Sequence, residues 1–181
     1  YDKRVLYLKY DILPLLKKGE NEITVELGNF FYNDTISTWQ WDTAAWRDAV
    51  KMICDINLTY GDNMTTVVSD ESWLVSKNGV ITENGIYYGE DHYYTREPEF
   101  NEKAILVSAP AGELSPQYME PMRRINTFSP AEVTSLGNGT YVIKAPEMVT
   151  GWAMVRMNIP YGEKITLTYG ERLLPSGEVV R

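Results

Sequence analysis

The chain has 181 residues, of which 44% are hydrophobic and 23% charged, and its formal net charge is −8. These values are typical of a folded domain and disfavour a disordered segment or a coiled coil. Nucleic-acid binding needs a positive surface that replaces the counterions of the phosphates, so the acidic charge disfavours nucleic acid and an anionic membrane as partners. No run of about 18 apolar residues occurs, so we expect no membrane-spanning helix. A neutral ligand, such as a sugar, is compatible with this charge.

The first segments combine one short helix signal with one strand signal. The stretch DILPLLKKGEN (residues 11–21) predicts one or two helical turns, with Pro14 near the first helical position and Gly19 as the stop. The stretch EITVEL (22–27) alternates apolar and polar residues, which predicts a strand with one apolar face.

Aromatic residues are concentrated in NFFYNDTISTWQWDTAAW (residues 29–46). Strand periodicity fades after Leu27, so part of this stretch is expected to be a loop, and DTAAWRDAVK (42–51) is a second helix candidate. Aromatic faces pack on the apolar faces of sugars, while Asn and Asp side chains take the hydroxyl groups. We therefore predict Trp39, Trp41 and Trp46 as carbohydrate-binding candidates. The alternative is that each ring packs in the core, since large aromatic residues dominate core burial.

The middle of the chain predicts a strand and a turn. MICDINLTY (52–60) alternates strictly, so a half-buried strand is expected, with Cys54 as a small buried side chain. The following GDN (61–63) resembles a fragment of a calcium loop but lacks its repeated acids, and a hairpin turn is the favoured interpretation. A single cysteine and a single histidine exclude an internal disulfide framework and a Cys- or His-rich zinc site.

The stretch GIYYGEDHYYTRE (85–97) places two acids beside the only histidine of the chain. An Asp–His pair could orient a catalytic base, but no Gly-x-Ser-x-Gly nucleophile turn occurs in the sequence. Asp91 and His92 are adjacent, and neighbouring residues of a strand point to opposite faces. We therefore predict strand, turn and strand, with Glu90 and His92 near a rim and no catalytic dyad.

The last third predicts a module boundary and further strands. APAGELSPQYMEP (109–121) is rich in proline and follows no strand period, whereas MVRMNI (154–159) and KITLTY (164–169) alternate like strands. The fold class is therefore all-β: two antiparallel β-sandwich or jelly-roll modules, spanning residues 1–110 and 111–181. The second module is expected to be incomplete at the chain end, because it is short for a sandwich of about 100 residues.

The order of several motifs resembles one protein family. The segments YDKRVLYLKYDILPLLKKGENEITVELGNFFYN, WDTAAWRD, VVSDESWLVSKNGVITENGIYYGEDHYYTRE, EPMRRINTFSP and GTYVIKAPEMVTGWAMVRMNIPYGEKITLTYGERLLPSGEV are similar to the non-catalytic β-rich modules of bacterial α-L-rhamnosidases. The family pattern departs at residues 144–148, where KAPEM replaces a more polar loop, and at residues 93–96, where YYTR lacks an acid.

The resemblance implies an accessory piece of an inverting glycosidase that removes terminal L-rhamnose and whose catalytic acids lie in a separate (α/α)6 barrel. It also implies that the first module is a jelly roll that lacks its first strands, so that both modules are expected to be incomplete at the chain ends. The resemblance implies two partners, a carbohydrate and the barrel of the same parent chain. It implies that this chain carries no catalytic residue. It also implies a secreted or periplasmic location, although no signal peptide occurs here. Some family members use calcium, so calcium is the one cofactor implied, and Asn29 after VELG is the position singled out for ligand binding. The alternative is a purely structural spacer without a ligand.

Overall fold

The computed structural model describes residues 2–34 and 38–180, without the side chains of Thr38, Trp39 and Trp41. The chain divides into two compact units, Tyr1–Met119 and Glu120–Arg181. The predicted boundary between residues 110 and 111 stays a prediction. Strands dominate the described residues, and the single α-helix is four residues long, which confirms the all-β class. Closure of either unit into a sandwich or jelly roll stays a prediction.

The described part of the first unit contains eight short strands and three short helices. The strands are β1 (Arg4–Tyr7), β2 (Asp55–Tyr60), β3 (Asn63–Val68), β4 (Leu74–Val75), β5 (Ile81–Gly85), β6 (Gly89–His92), β7 (Glu102–Lys103) and β8 (Glu113–Pro116). The helices are a 3-10 helix at Leu13–Leu15, the α-helix α1 at Phe30–Asn33 and a second 3-10 helix at Thr38–Thr43. The strands pair two by two, as β2–β3, β4–β7 and β5–β6 in antiparallel pairs and β1–β8 in a parallel pair.

The pair β1–β8 joins the beginning of the first unit to its end. Arg4 lies opposite Glu113, and Tyr7 lies opposite Pro116. Because parallel neighbours need a crossover connection, the whole segment between them serves as the link. This parallel pair departs from the prediction of antiparallel pairing, which the other four pairs of the described residues follow.

The hairpin β2–β3 forms where the sequence analysis placed a strand and a turn. Its strands are rich in β-branched residues, which fit a pleated surface, and Gly61 takes the bend with φ of 57°. Asn57 faces Thr66 across the pair, and the Thr66 hydroxyl donates to Asn57 Oδ1 at 2.8 Å. The GDN stretch is therefore a hairpin turn, as predicted.

The second unit contains one hairpin, β9 (Glu132–Gly137) and β10 (Thr140–Lys144). Asn138 and Gly139 connect the strands with φ of 50° and 76°. Two successive residues of positive φ form the tight turn that suits the right-handed twist of a hairpin, which explains the Asn-Gly sequence. An isolated antiparallel bridge joins Leu173 to Val179 in the same unit.

Three predicted strands do not form ladders. The segments 22–27, 154–159 and 164–169 carry the alternating pattern, yet the structure assigns no strand to them. Alternation reports which faces are apolar, but a strand also needs a neighbour that receives its backbone hydrogen bonds. The prediction of strands was therefore wrong for these segments, and that for 52–60 holds only from Asp55 onward.

The helix predictions hold at the first site and fail at the second. A 3-10 helix occupies Leu13–Leu15 with Pro14 in its first turn, as predicted, but it ends before Gly19. Residues 42–51 form no α-helix: the second 3-10 helix ends at Thr43, and an isolated turn follows. Helix α1 was not predicted, because four residues are too few to show a helical period.

Apolar side chains remain accessible throughout the described residues. No hydrophobic side chain of the described residues is buried, and the one buried residue among them is the acid Asp34. Cys54 is a free, half-buried thiol, so the prediction of a buried cysteine was wrong. The described residues contain no helix with the length and apolar character needed to cross a bilayer.

Candidate functional site

The segment around α1 is joined to the β5–β6 hairpin by amide hydrogen bonds. The backbone N–H of Asn29 donates to Asn84 Oδ1 at 2.8 Å, and Asn29 Nδ2 donates to the Asn84 carbonyl at 3.2 Å. Asn33 Nδ2 donates to Asn29 Oδ1 at 2.9 Å. Both Asn29 and Asn84 are half-buried. Two segments 55 residues apart in sequence are thus held together by two hydrogen bonds that Asn29 donates to Asn84.

Asp34 supplies a second connection between the same two segments. Asp34 as a whole residue is 4% exposed, and its Oδ2 accepts the Ile86 backbone N–H at 2.8 Å. Gly85 lies against this carboxylate, since a Cβ at that position would stand 3.4 Å from Oδ2, an ordinary van der Waals contact. Burial of a carboxylate is costly unless it is hydrogen-bonded. We name Asn29, Asn33, Asp34 and Asn84 the polar latch.

The polar latch decides the role of Asn29, the position singled out from the sequence. Its side-chain oxygen accepts a bond from Asn33, and its amide groups donate to Asn84, so Asn29 fastens the hairpin. A calcium ion takes six to eight oxygen ligands, usually including several carboxylates. The latch contains one carboxylate, already bonded to Ile86, and no group of three or more acids, histidines or cysteines that could hold a metal occurs among the described residues. The latch therefore does not fit a calcium site.

The three predicted tryptophans have different outcomes. Trp39 and Trp41 belong to the second 3-10 helix, and their side chains lie outside what the structure describes. Trp46 follows in a turn, where the Arg47 N–H donates to the Ala44 carbonyl at 3.0 Å, and it is 58% exposed. No hydrogen bond or ring contact of the described residues joins Trp46 to Asn29. Sugar binding by these four residues stays a prediction.

The acid-and-histidine stretch forms strand, turn and strand, as predicted. His92 Nε2 lies 2.8 Å from Glu90 Oε2, and the His92 ring stacks on the Tyr94 ring with centroids 5.6 Å apart and planes 26° apart. Residues two apart on a strand share a face, which explains why His92 contacts Glu90 on β6, whereas Tyr94 lies in the turn that follows this strand. We name these three side chains the Glu90–His92–Tyr94 row.

Asp91 is bonded on its own side of the strand. Tyr88 donates its hydroxyl to Asp91 Oδ2 at 2.8 Å, and this bond to the carboxylate raises the pKa of the Tyr88 phenol above its ordinary value. Nearby, the Arg96 guanidinium lies 4.8 Å from the centre of the Tyr93 ring, within the range of a cation–π contact. Asp91 and His92 therefore contact different partners, Tyr88 and Glu90 respectively.

Sequence reasoning missed the latch residues Asp34 and Asn84 and the grouping of the row. The row has a sequence signal, since a spacing of two within a predicted strand puts side chains on one face. The latch has none, because its partners are more than 50 residues apart and their meeting depends on tertiary structure.

Comparison with known proteins identifies relatives of this chain. The sequence profile of the alpha-L-rhamnosidase N-terminal domain matches residues 1–126. An alpha-L-rhamnosidase of Formosa agariphila is 27% identical over 98% of this chain, and one of Alteromonas sp. (strain LOR) is 22% identical over 96%. A third, from Streptomyces avermitilis, is 22% identical over 99%. No solved structure matches the chain.

The lengths of these relatives place the match within larger proteins. The chain spans about a fifth of each relative, 20% for the first two and 18% for the third. A profile match over residues 1–126 covers more than half of the chain and both sides of the polar latch. The chain belongs to the α-L-rhamnosidase N-terminal domain family.

Proposed function

We propose that this chain is an accessory β-rich module of an α-L-rhamnosidase that packs against the catalytic part of its parent protein and binds L-rhamnosides. The observation that carries the packing role is the exposure of the apolar side chains. No hydrophobic side chain of the described residues is buried, and each buried Val, Leu, Ile, Phe or Met side chain contributes about 1.5–3 kcal/mol. A surface of this kind gains stability when a second apolar surface covers it.

Carbohydrate as the ligand class rests on two supports. The relatives are named alpha-L-rhamnosidases, and the chain displays exposed aromatic rings beside acids and amides, which is the usual composition of a sugar-contact surface. The chain carries no catalytic residue in this proposal, and bond cleavage belongs to a helical (α/α)6 barrel elsewhere in the parent. A calcium ion has no part in the proposal, because the latch does not fit one.

The packing role is tested by deleting residues 1–126 from the full-length protein. We expect the deleted protein to melt at a lower temperature and to aggregate, because the apolar surface that the module covers becomes exposed to water. Equal melting temperatures for the full-length and deleted proteins would exclude a packing role.

Rhamnoside binding is tested by calorimetric titration of this chain with L-rhamnose, using D-glucose as the control sugar. A larger heat of binding with L-rhamnose than with D-glucose would support rhamnoside binding. Equal signals would favour the alternative, a structural spacer without a ligand. A secreted or periplasmic location is also proposed, on the resemblance alone, and fractionation of the source cells tests it.

A further inference from the structure

The Glu90–His92–Tyr94 row combines an open aromatic face with an anchored carboxylate. Tyr94 is 84% exposed. The His92 ring stacks on the Tyr94 ring, and His92 Nε2 contacts Glu90 Oε2, so the imidazole holds the tyrosine ring in place. Glu90 Oε1 has no hydrogen-bond partner among the described residues. The row therefore presents an apolar ring face, in the turn after β6, beside a free carboxylate acceptor on the strand itself.

The charge of this surface selects the ligand class. The chain carries a net charge of −8, and Glu90 adds a carboxylate at the row itself, so an anionic ligand would be repelled. Arg96, which follows the hairpin in sequence, lies over the Tyr93 ring. A neutral pyranose matches both the Tyr94 ring and the Glu90 carboxylate. Its C–H face packs on an aromatic ring, and its hydroxyl groups donate to a carboxylate.

We propose that the row is a sugar-contact surface that binds one neutral pyranose, with the sugar ring stacked on Tyr94 and a hydroxyl group donating to Glu90 Oε1. The inference deepens the proposed function and rests on it, because it assigns rhamnoside binding to the hairpin instead of to Asn29 and the tryptophans. His92 is a positioning residue, since it acts by fixing the carboxylate and the ring.

The polar latch gives this surface a fixed base. Asn84 lies on β5 and accepts a hydrogen bond from the Asn29 N–H. The Ile86 N–H, in the turn that connects β5 to β6, donates to the Asp34 carboxylate. Asn84 pairs with Glu90 in the β5–β6 ladder. A strand held this way loses little freedom when a ligand binds, which favours affinity.

The test is affinity electrophoresis of the full-length protein through gels that contain a neutral polysaccharide with terminal L-rhamnose. We expect Tyr94→Ala to weaken retardation, measured as an apparent Kd, by about tenfold, because the stacked ring is lost. Glu90→Gln keeps the shape and one carbonyl acceptor, so we expect a smaller effect of about threefold. Tyr60→Ala is the matched control, since Tyr60 is 89% exposed on a different hairpin, and it should migrate like the wild type.

Each outcome decides between the inference and the proposed function. Retardation of the wild type with no change in Tyr94→Ala and Glu90→Gln would overturn the row as the site and leave rhamnoside binding intact. An equal loss in Tyr60→Ala would also overturn it, since the effect would not be specific to the row. A wild type that is not retarded would overturn both the row and rhamnoside binding. Far-UV circular dichroism checks that the variants fold alike.

Discussion

At the scale of single residues, the buried carboxylate of Asp34 has the clearest structural role. It accepts the Ile86 N–H and lies against Gly85. Removing it leaves a backbone donor without its partner, at a cost of about 1–3 kcal/mol. We expect Asp34→Ala to speed amide exchange in the peptide containing Ile86 by about tenfold or more, since about 1.4 kcal/mol is a factor of ten.

Hydrogen-exchange mass spectrometry of the hairpin peptide measures this effect. Asp34→Asn keeps a side-chain oxygen that can accept the bond, so it should exchange more slowly than Asp34→Ala. Asp55→Ala is the control, because Asp55 is an exposed acid at the start of β2. If the exchange rate of the Ile86 peptide is the same in Asp34→Ala and Asp55→Ala, the assigned role of Asp34 is wrong.

Tyr88 provides a prediction about pH. Its pKa is raised, first by the hydrogen bond to Asp91 and then by the charge of that carboxylate. A raised pKa in the folded state favours the protonated phenol, so the Tyr88–Asp91 bond stabilises the fold below the ordinary tyrosine pKa and is lost as pH rises through the raised one. We expect Asp91→Asn to move the Tyr88 titration to lower pH.

Carbon NMR of ring-labelled tyrosine follows this titration, with Tyr88→Phe to identify the signal. Asp62→Asn, an acid in the β2–β3 turn, is the control and should leave the Tyr88 titration unchanged. An unchanged titration in Asp91→Asn would show that the bond does not persist in solution.

At the scale of elements, turns could be predicted from the sequence better than strands. The Gly61 and Asn138–Gly139 bends form hairpins because Gly and Asn accept positive φ locally, without help from distant residues. The segments 22–27, 154–159 and 164–169 show that alternation alone does not make a strand, because ladder partners come from elsewhere in the chain. The polar latch could not be predicted for the same reason.

Gly139 tests how far the turn fixes the β9–β10 hairpin. Its φ is 76° and nothing lies within 4 Å of an added Cβ, so alanine there would be strained by the backbone alone. We expect Gly139→Ala to destabilise the hairpin by about 1 kcal/mol. Gly151→Ala is the matched control, since Gly151 also has open space but no positive φ.

Amide exchange in the β9 and β10 peptides reports the stability of this hairpin. Exchange should be faster in Gly139→Ala than in the wild type and unchanged in Gly151→Ala. Equal rates in both variants would mean that the positive φ of Gly139 does not limit the stability of the hairpin.

At the scale of the whole molecule, the composition predicted a folded domain and the alternating segments predicted strands, and the all-β class is confirmed. What the composition could not show is where the apolar side chains would pack. A hydrophobic fraction of 44% is enough for a core, yet the described residues bury no hydrophobic side chain. An apolar fraction counts the side chains that could be buried, whereas burial itself needs a facing surface of matching shape.

The accessible apolar side chains lead to a prediction about the 181-residue chain by itself. Cooperative unfolding requires a packed core, and exposed apolar surface binds hydrophobic dyes. We expect the isolated chain to enhance the fluorescence of anilinonaphthalene sulfonate and to melt over a broad range. Within the full-length protein the same surface should be covered, and the dye signal per mole should fall. A sharp thermal transition of the isolated chain without dye binding would show that the chain completes its own core, and the packing role proposed for it would then lose its physical basis.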